Sequence, residues 1–398
     1  MATTNLTKYS QLETPCFIFH EAEFYRGVRE FQFALSNHFR FFEIGYSVKT
    51  NSLPFALTTA KHLGCMAEVV SADEYKLARL CGFDIHRIIY NGPLKSKETF
   101  LEAIENGAIV NIETKREICW LNELPSGKDF KVGIRLNINL SKISPANADG
   151  DNDDSRFGFS DETTELCDAL NAIASCPNVT LSGIHIHRTT HSRNPAFYFD
   201  SIEFAAKIVS KYHLSIDYID IGGGYFGIFP NKPTFEDYAQ TFKNALAKYN
   251  LDNVLVIVEP GNALTASSFE FLSEVIDVKH VDNATTFITT DGSRNDIDPF
   301  FRKSDYLKSV LRKDENLEIQ NTQIVSGCTC LEYDRLFSLH NEPLINIGDR
   351  ILFHNVGAYT LTLSPQFIRL WPMIYAFKVD DSVAIVRPKS EAKDLVQK

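Results

Sequence analysis

The stretch Leu181-Ser-Gly-Ile-His-Ile-His187 is short, mostly apolar and ends at a polar residue, which is typical of a buried strand. The next stretch, Phe197–Tyr212, has apolar residues three and four positions apart, as on one face of a helix. A second apolar run, Tyr218–Ile221, follows and ends at a glycine. A strand, a helix and another strand in this order predict a parallel βαβ unit.

The same order repeats from Phe41 to Gly261. We predict strands at Phe42–Lys49, Met66–Val70, Ile88–Tyr90, Ile109–Ile112, Lys131–Ile138, Leu181–His187, Tyr218–Ile221 and Val254–Glu259. We predict the helices between them at Leu53–Leu63, Asp73–Leu80, Lys97–Asn106, Lys115–Leu124, Glu162–Ile173, Phe197–Tyr212 and Phe235–Tyr249. Eight such units predict an α/β fold with a closed parallel (β/α)8 barrel over residues 30–268. An open doubly wound sheet is the main alternative.

Polar residues at the strand ends favour the barrel. They are Lys49, Ser71, Asn91, Glu113, Asn137, His187, Gly222 and Glu259. In parallel barrels the carboxyl ends of the strands carry the active site. We therefore expect the functional residues of this chain to lie at that end.

The pattern changes after Gly261. Short apolar runs without amphipathic helices between them predict a mostly antiparallel C-terminal β-domain. Examples are Phe287-Ile-Thr-Thr, Gln323-Ile-Val-Ser, Arg350-Ile-Leu-Phe-His and Val383-Ala-Ile-Val. The run Pro15-Cys-Phe-Ile-Phe-His predicts an N-terminal strand that joins this domain. We assign residues 1–29 and 269–398 to it.

Composition and charge exclude several classes of partner. The net charge of −11 argues against a nucleic-acid surface, and no apolar run approaches membrane-spanning length. The first residues carry no secretion signal, so we expect a cytoplasmic protein. The eight cysteines form no CxxC pair, which argues against a disulfide scaffold and a zinc site. We expect most of them to be buried thiols, with Cys330 the exception.

Lys49 lies in Tyr46-Ser-Val-Lys49-Thr-Asn, which we expect to end the first barrel strand. We expect apolar neighbours and other cations around its amine, which would favour the neutral form that Schiff-base chemistry requires. The alternative is a surface lysine at a strand end.

Two further strand ends carry candidate groups. Three glycines, Gly222, Gly223 and Gly224, follow the seventh strand and predict a tight turn whose N–H groups bind an anion such as phosphate. Glu259-Pro-Gly261 ends the eighth strand and places a carboxylate at the same mouth, unless it pairs with a neighbouring Arg or Lys.

His185 and His187 end the sixth strand, where alternation places both on the same face. Two such histidines bind a metal in some proteins, or pack as aromatic rings, one of them on a cofactor. Because no carboxylate-rich motif accompanies them, we predict no metal.

Together these segments resemble the fold-type III pyridoxal-phosphate decarboxylases, which include diaminopimelate, ornithine, arginine and carboxynorspermidine decarboxylases. The resemblance extends from Thr14 to Phe367. It rests on Tyr46-Ser-Val-Lys49-Thr-Asn, Glu68-Val-Val-Ser71, Asn91-Gly-Pro-Leu-Lys95, Arg156-Phe-Gly158, His187, Gly222–Gly224, Glu259-Pro-Gly261, Thr329-Cys330 with Asp334, and Gly357-Ala-Tyr359-Thr. It implies an alanine-racemase-like barrel with a β-domain.

The resemblance also implies roles for these residues. Lys49 would carry pyridoxal 5′-phosphate as a Schiff base, and His187 would stack on the pyridine ring. The glycines Gly222–Gly224 and Tyr359 would contact the phosphate. Glu259 would hold the pyridine nitrogen protonated, which makes the ring an electron sink.

The family implies a head-to-tail homodimer. Each site would be completed by Cys330 of the partner subunit, whose thiol donates the proton that replaces CO2. The substrate would be a small amino-acid-like molecule.

Two departures affect cofactor binding. Asn262 follows Glu259-Pro-Gly261 where the family usually has Arg, which removes a bidentate cation. Thr190 stands where the family has a serine hydroxyl, and Arg188 could supply the lost cation.

Other departures affect the substrate. Leu331 replaces the acidic residue that holds a distal amine in ornithine and diaminopimelate enzymes, as it does in carboxynorspermidine enzymes. We expect the neighbouring Glu332 to point elsewhere along a strand. Arg302 resembles an arginine that binds a distal carboxylate, and Tyr359 would also contact the substrate.

The leading hypothesis is a pyridoxal-phosphate-dependent decarboxylase of the diaminopimelate and ornithine family, acting on a usual or an atypical amino acid. Alternatives are a carboxynorspermidine-type or siderophore-precursor decarboxylase. An amino-acid racemase and an inactive cofactor-binding homologue are further alternatives. Racemases of this fold pair the pyridine nitrogen with Arg, so Glu259 argues against the first of these two.

Overall fold

The computed structural model describes residues 8–148, 155–188, 192–313 and 318–396. The chain divides into two compact units, Met1–Tyr25 with Thr265–Lys398, and Arg26–Leu264. The first strand, β1 (Cys16–His20), leads into helix α1 (Glu21–His38). Within the described ranges, no helix combines the length and apolar character needed to cross a membrane.

The larger unit contains a closed parallel barrel. Its strands, in the order of the barrel, are β2 (Phe42–Ser47), β3 (Met66–Ser71), β4 (Ile88–Leu94), β5 (Ile109–Ile112), β6 (Phe130–Arg135), β7 (Val179–His185), β8 (Tyr218–Asp220) and β9 (Leu255–Val258). Strand β9 pairs in parallel with β2 and closes the ring. The predicted (β/α)8 barrel is confirmed, and the open doubly wound sheet is wrong.

The helices that follow in the chain surround the strands in the expected alternation. They are α2 (Pro54–His62), α3 (Ala72–Leu80), α4 (Lys97–Glu105), α5 (Lys115–Trp120), α6 (Leu140–Ile143), α7 (Glu165–Ala174), α8 (Pro195–Lys211), α9 (Phe235–Lys248) and α10 (Asn262–Thr265). Short polar side chains start several of them. The hydroxyl of Ser71, the last residue of β3, accepts the N–H of Glu74 at 3.1 Å, and Thr234 accepts that of Asp237 at 3.2 Å.

Helix α1 was not predicted, although its sequence contains the signal. Phe24, Val28, Phe31 and Leu35 are all buried and stand four, three and four positions apart. This is the period of one helix face. The helix precedes the first barrel strand, outside the repeat on which the prediction was based.

The smaller unit is a nine-stranded sheet. Its remaining elements are β10 (Phe269–His280), β11 (Thr285–Thr290), α11 (Arg294–Ile297), β12 (Lys308–Leu311), β13 (Ile319–Ser326), β14 (Arg335–Pro343), β15 (Arg350–His354), β16 (Met373–Phe377) and β17 (Val383–Arg387). The predicted N-terminal strand joins this sheet, between β10 and β16. The sheet is mostly antiparallel, but β1 pairs with β16 and β11 with β13 in parallel.

A half-buried carboxylate joins three strands of this sheet. Glu270 on β10 contacts His20 on β1 at 2.6 Å and His354 on β15 at 2.7 Å, and it accepts the Tyr9 hydroxyl at 2.6 Å. Burial alone would raise the pKa of Glu270, but the hydrogen bonds from the two histidines and Tyr9 outweigh it and lower the pKa to about 2.

This lowered pKa predicts a pH-dependent contribution to stability. A carboxyl group whose pKa is lower in the folded than in the unfolded chain stabilises the fold above its unfolded pKa and loses that effect as the pH falls toward its folded pKa. We expect Glu270→Gln to lower the free energy of unfolding by roughly 3 kcal/mol near pH 6, with the difference from wild type shrinking between about pH 4.5 and pH 2. Urea unfolding across this range measures it. The exposed Glu13→Gln is the control, and a constant difference at every pH would contradict the assignment.

Candidate active site

Lys49 lies in a one-turn 3₁₀ helix, Val48–Thr50, immediately after β2. Its Nζ donates to Glu68 Oε2 at 2.7 Å. The expectation of apolar and cationic neighbours is therefore wrong, because the parallel register of β2 and β3 places Ser47 opposite Glu68. The Lys49 side chain is 30% exposed, whereas that of Glu68 is 1% exposed. A buried carboxylate thus holds an accessible amine.

Glu259 follows β9 and is buried. Its backbone N–H donates to the carbonyl of Gly222 at 2.7 Å, which ties the ends of β8 and β9 together. Its Oε1 accepts the side-chain amide of Asn91 at 2.5 Å, and its Oε2 lies 3.6 Å from His185 Nε2. The alternative of a pairing with Arg or Lys is therefore replaced by contacts with an amide and an imidazole.

Asp220 ends β8 and is fully buried beside Glu259. Burial, and then the charge of Glu259 and a hydrogen bond with it, raise the pKa of Asp220 well above its usual range. Asp220 is therefore the protonated member of this hydrogen bond near neutral pH. Asp220 is then a donor to Glu259.

His185 and His187 lie side by side, with ring centroids 6.3 Å apart and ring planes 22° apart. Burial, reinforced by the charge of Arg135, lowers the pKa of both histidines well below their usual range. Both rings are therefore neutral near pH 7. The N–H of Gly223 donates to His187 Nδ1 at 3.1 Å, so the proton of this ring is on Nε2.

The glycine turn after β8 has no room for side chains. A Cβ on Gly222 would lie 2.6 Å from His187 Nδ1, and one on Gly223 would lie 2.2 Å from the carbonyl oxygen of Glu259. Gly222 and Gly224 also have φ of +74° and +98°. The N–H of Gly222 donates to Asp220 at 3.0 Å. The N–H groups of Gly222 and Gly223 are thus both engaged within the chain, with Asp220 and His187.

The segment after Glu259 is also tightly packed. Gly261 is buried, and a Cβ there would lie 2.1 Å from Thr50 Oγ1. Asn262 is half-buried and begins α10. Thr190 lies outside the described residues.

The smaller unit contains the Cys330 loop, which we define as Gly327–Asp334. It is a turn, so the expectation that Glu332 lies in a strand is wrong. The reason is Asp334, whose buried carboxylate accepts the N–H and hydroxyl of Thr329 at 3.1 and 2.6 Å and folds the segment back on itself. Cys330 and Glu332 are exposed, and Leu331 is half-buried.

A second loop, Asp298–Lys303, lies against the Cys330 loop. The rings of Phe301 and Tyr333 meet edge to face with centroids 5.6 Å apart. Arg302 on this loop is exposed, and its backbone N–H donates to Asp298 at 3.1 Å. Leu331 and Arg302 thus belong to two joined loops of one unit. Tyr359, in the same unit, is 41% exposed with φ of +57°.

The thiols are less buried than expected. Cys16, Cys65 and Cys176 are buried, whereas Cys119 and Cys330 are exposed and the other cysteines are intermediate. All eight are free thiols.

In the part of the chain that the structure describes, one group of side chains could hold a metal. Potential ligand atoms of His185, Asp220 and Glu259 lie within 4.8 Å of one another. The alternative weighed from the sequence paired His185 with His187, whereas the structure groups His185 with the carboxyl groups of Asp220, at the end of β8, and Glu259, after β9.

Two further pairs of charged side chains stabilise the barrel mouth. Arg135 donates to Glu113 at 2.9 Å and to the carbonyl of His187 at 3.2 Å. Lys95 and Glu117 are fully buried with 3.3 Å between Nζ and Oε1, and burial lowers the pKa of Lys95. The sequence placed Glu113 at a strand end and Lys95 in Asn91-Gly-Pro-Leu-Lys95, but it does not pair them with Arg135 and Glu117.

The protein-family model described as "pyridoxal-dependent decarboxylase, pyridoxal binding domain" matches residues 22–266 of this chain. The chain belongs to this family. It is a carboxy-lyase that uses pyridoxal phosphate to decarboxylate an amino acid, as predicted.

Individual relatives agree with this assignment. This family member is 28% identical to a probable chloroplastic diaminopimelate decarboxylase of Oryza sativa subsp. japonica, over 94% of this chain and 77% of that protein. It is 25% identical to L-glutamyl-[BtrI acyl-carrier protein] decarboxylase of Niallia circulans, over 99% of this chain and 95% of that protein. The structure of Helicobacter pylori diaminopimelate decarboxylase complexed with L-lysine shares the fold, with a TM-score of 0.81, 24% identity and coverage of 98% of this chain and 97% of that chain.

Proposed function

We propose that the cofactor lies at the carboxyl end of the barrel between Lys49, His187, Glu259 and the glycine turn. The residues there fit such a group. An accessible amine at Lys49, a neutral imidazole at His187 and a buried carboxylate at Glu259 are all contributed by strand ends of one barrel. Pyridoxal phosphate, when bound, supplies the electron sink that makes cleavage of the Cα–carboxylate bond feasible.

Each residue has a distinct task in this proposal. Lys49 Nζ attaches the cofactor, and Glu68 holds that amine in position beforehand. His187 provides a flat, uncharged face for the ring, fixed by Gly223. The Glu259 carboxylate would keep the pyridine nitrogen protonated by accepting a hydrogen bond from it. We expect no metal at His185, Asp220 and Glu259, because the Glu259 carboxylate has the pyridine nitrogen as its partner when the cofactor is bound.

The phosphate is held without the usual arginine. Because Gly222 and Gly223 use their N–H groups within the chain, Gly224 is the donor of the glycine turn that we propose. Gly261, Asn262, Thr190 and Tyr359 are further contacts in this proposal.

We propose that the active form is a homodimer in which Cys330 of the partner subunit completes each site. Cys330 is exposed on its own chain, on a loop with 61%-exposed Tyr333 beside a loop with 55%-exposed Phe300. Exposed aromatic residues of this kind are typical of interfaces. The eight free thiols support a reducing, cytoplasmic location.

The substrate, in our proposal, is an α-amino acid whose far end carries a carboxylate or an acyl group rather than an ammonium alone. The observation that carries this is Leu331. It occupies the Cys330 loop where an acidic residue would hold a distal ammonium, and the neighbouring Glu332 is solvent-exposed. The adjoining loop presents Arg302 and Lys303, which are both exposed cations.

The names of the relatives give two candidate substrates. L-glutamyl-[BtrI acyl-carrier protein] decarboxylase is named for an acylated substrate. Diaminopimelate, from the names of other relatives, is the second candidate because Arg302 could bind its distal carboxylate. Carboxynorspermidine and siderophore precursors remain further alternatives.

Release of CO2 by the purified holoenzyme tests the proposal. The substrates are diaminopimelate, ornithine, lysine, arginine, carboxynorspermidine and an L-glutamyl pantetheine thioester. We expect the thioester or diaminopimelate to exceed ornithine and lysine in kcat/KM. Preference for ornithine or lysine would contradict it. Absence of CO2 release with all substrates, despite a bound cofactor, would favour racemisation or an inactive homologue.

A substitution tests the role of Leu331 directly. We expect Leu331→Glu to raise kcat/KM for ornithine relative to the preferred substrate by about tenfold, since a paired charge adds roughly 1.4 kcal/mol. Ile347→Glu is the control, because Ile347 is an exposed apolar residue in the same unit outside both loops. An unchanged ratio would remove Leu331 from the specificity argument.

A further inference from the structure

Tyr218 lies across the interior of the barrel. It opens β8, is buried, and is accommodated by two glycines on the neighbouring strands. A Cβ on Gly183 of β7 would lie 2.0 Å from the Tyr218 ring, and a Cβ on Gly133 of β6 would lie 2.0 Å from its hydroxyl. The tyrosine therefore reaches across β7 and β6 because both positions lack side chains.

The Tyr218 hydroxyl starts a chain of hydrogen bonds. It donates to Asn111 Oδ1 on β5 at 2.7 Å. Asn111 Nδ2 donates to Asn91 Oδ1 on β4 at 2.8 Å, and Asn91 Nδ2 donates to Glu259 Oε1 at 2.5 Å. Four buried side chains from four strands are thus joined in series, ending at the carboxylate of the proposed cofactor site.

The direction of this chain is determined at the carboxylate. An ionised carboxylate only accepts, so Asn91 must present its NH2 group to Glu259. Glu68, the partner of Lys49, accepts the same amide at 3.3 Å and reinforces this orientation. Asn91 Oδ1 is then an acceptor, so Asn111 must present its own NH2 group.

The remaining oxygen of Asn111 therefore needs a donor, and Tyr218 is that donor. Burial, followed by nearby carboxylates, raises the pKa of Tyr218 well above its usual range, which keeps the phenol protonated. A second hydrogen bond from Asn111 supports the same orientation of its amide, because Asn111 Nδ2 also donates to Asp220 Oδ2 at 3.2 Å. All the donors in this series of hydrogen bonds are oriented toward Glu259 and Asp220. In such an arrangement each hydrogen bond polarises the next.

We propose that Tyr218 and Asn111 are positioning residues that orient the Asn91 amide toward Glu259 and so fix the acceptor opposite the pyridine nitrogen. This inference rests on the proposed role of Glu259. Neither Tyr218 nor Asn111 needs to touch the cofactor. Without the phenol, Asn111 Oδ1 loses its donor, and the hydrogen bonds from Asn111 to Asn91 and from Asn91 to Glu259 weaken, because each bond polarises the next. The proton shared between the pyridine nitrogen and Glu259 shifts toward Glu259.

The test is the nitrogen-15 chemical shift of the ring nitrogen in protein loaded with 15N-labelled pyridoxal phosphate near pH 7. We expect Tyr218→Phe to move this shift toward the unprotonated value and to lower kcat about tenfold, with KM within about twofold. Tenfold is the lower end of the loss typical when a hydrogen-bond partner that supports a functional group is removed. Tyr90→Phe is the matched control, since it removes a buried tyrosine hydroxyl that bonds to Thr99 at 2.9 Å. Asn111→Ala breaks the chain one step nearer to Glu259 and should shift the signal in the same direction.

Glu259→Gln separates the possible failures. A nitrogen shift unchanged in Glu259→Gln would overturn the proposed role of Glu259. A change in Glu259→Gln without one in either Tyr218→Phe or Asn111→Ala would overturn only the present inference. An equal change in Tyr90→Phe would overturn it as well, since any buried hydroxyl would then have the same effect.

Discussion

Lys49→Ala is expected to lower CO2 release by at least about a thousandfold, because it removes the amine that attaches the cofactor. The loss should be chemical rather than structural. Glu68, the partner of Lys49, keeps the Ser47 hydroxyl at 2.7 Å and the Asn91 amide at 3.3 Å as donors. We therefore expect the same thermal unfolding midpoint within a few degrees, together with loss of tightly held cofactor after dialysis.

Lys97→Ala is the matched control for this substitution. Lys97 is an exposed lysine of the same barrel that pairs with Glu123 at 3.0 Å. It should leave CO2 release and cofactor content unchanged. Residual activity of Lys49→Ala within tenfold of wild type would show that another group attaches the cofactor.

Cys330→Ala is expected to lower kcat about a hundredfold or more, because a positioned proton donor typically contributes that much. The more specific expectation concerns mixed dimers. If Cys330 serves the site of the partner subunit, Lys49→Ala and Cys330→Ala chains complement each other. Random exchange makes half of the dimers mixed, each with one intact site, so about a quarter of wild-type activity should return.

Cys119→Ala is the control, since Cys119 is the other exposed cysteine and lies in the barrel unit. We expect Cys119→Ala to keep wild-type activity. In a mixture with Lys49→Ala, the total activity should not exceed what the Cys119→Ala chains contribute by themselves. If the mixture of Lys49→Ala and Cys330→Ala shows no recovery after subunit exchange, the shared-site arrangement is contradicted.

The barrel was predictable because its signal is repetitive. Buried strands followed by amphipathic helices recur along the chain, and the polar residues at the strand ends identify the functional mouth. The exact strand ends were less predictable. Strands β6 and β7 end at Arg135 and His185, before the predicted Ile138 and His187, because the apolar character continues into the loops that carry the site.

The surroundings of the site residues were beyond the sequence. Lys49 was recognisable, but its ion pair with Glu68 depends on the register of β2 and β3. Tyr218 and Asn111 are visible as polar residues within apolar strands, and Gly133 and Gly183 as glycines within strands. Which of them face one another across the barrel depends on the stagger of the strands, which periodicity does not encode.

The smaller unit shows the same limit. Its strands were individually recognisable, but the parallel pairing of β1 with β16 joins segments from opposite ends of the chain. The turn at the Cys330 loop depends on a single buried carboxylate, Asp334, which accepts donors from Ser293, Arg294 and Thr329. Local sequence alone made this segment resemble a strand.

Borohydride reduction of the cofactor-loaded protein, followed by mass spectrometry of its peptides, tests the central claim most directly. The reduced cofactor should remain covalently attached to the peptide that contains Lys49, at close to one per chain. Attachment to a different lysine, including buried Lys95, or no covalent attachment at all, would contradict the account of this active site.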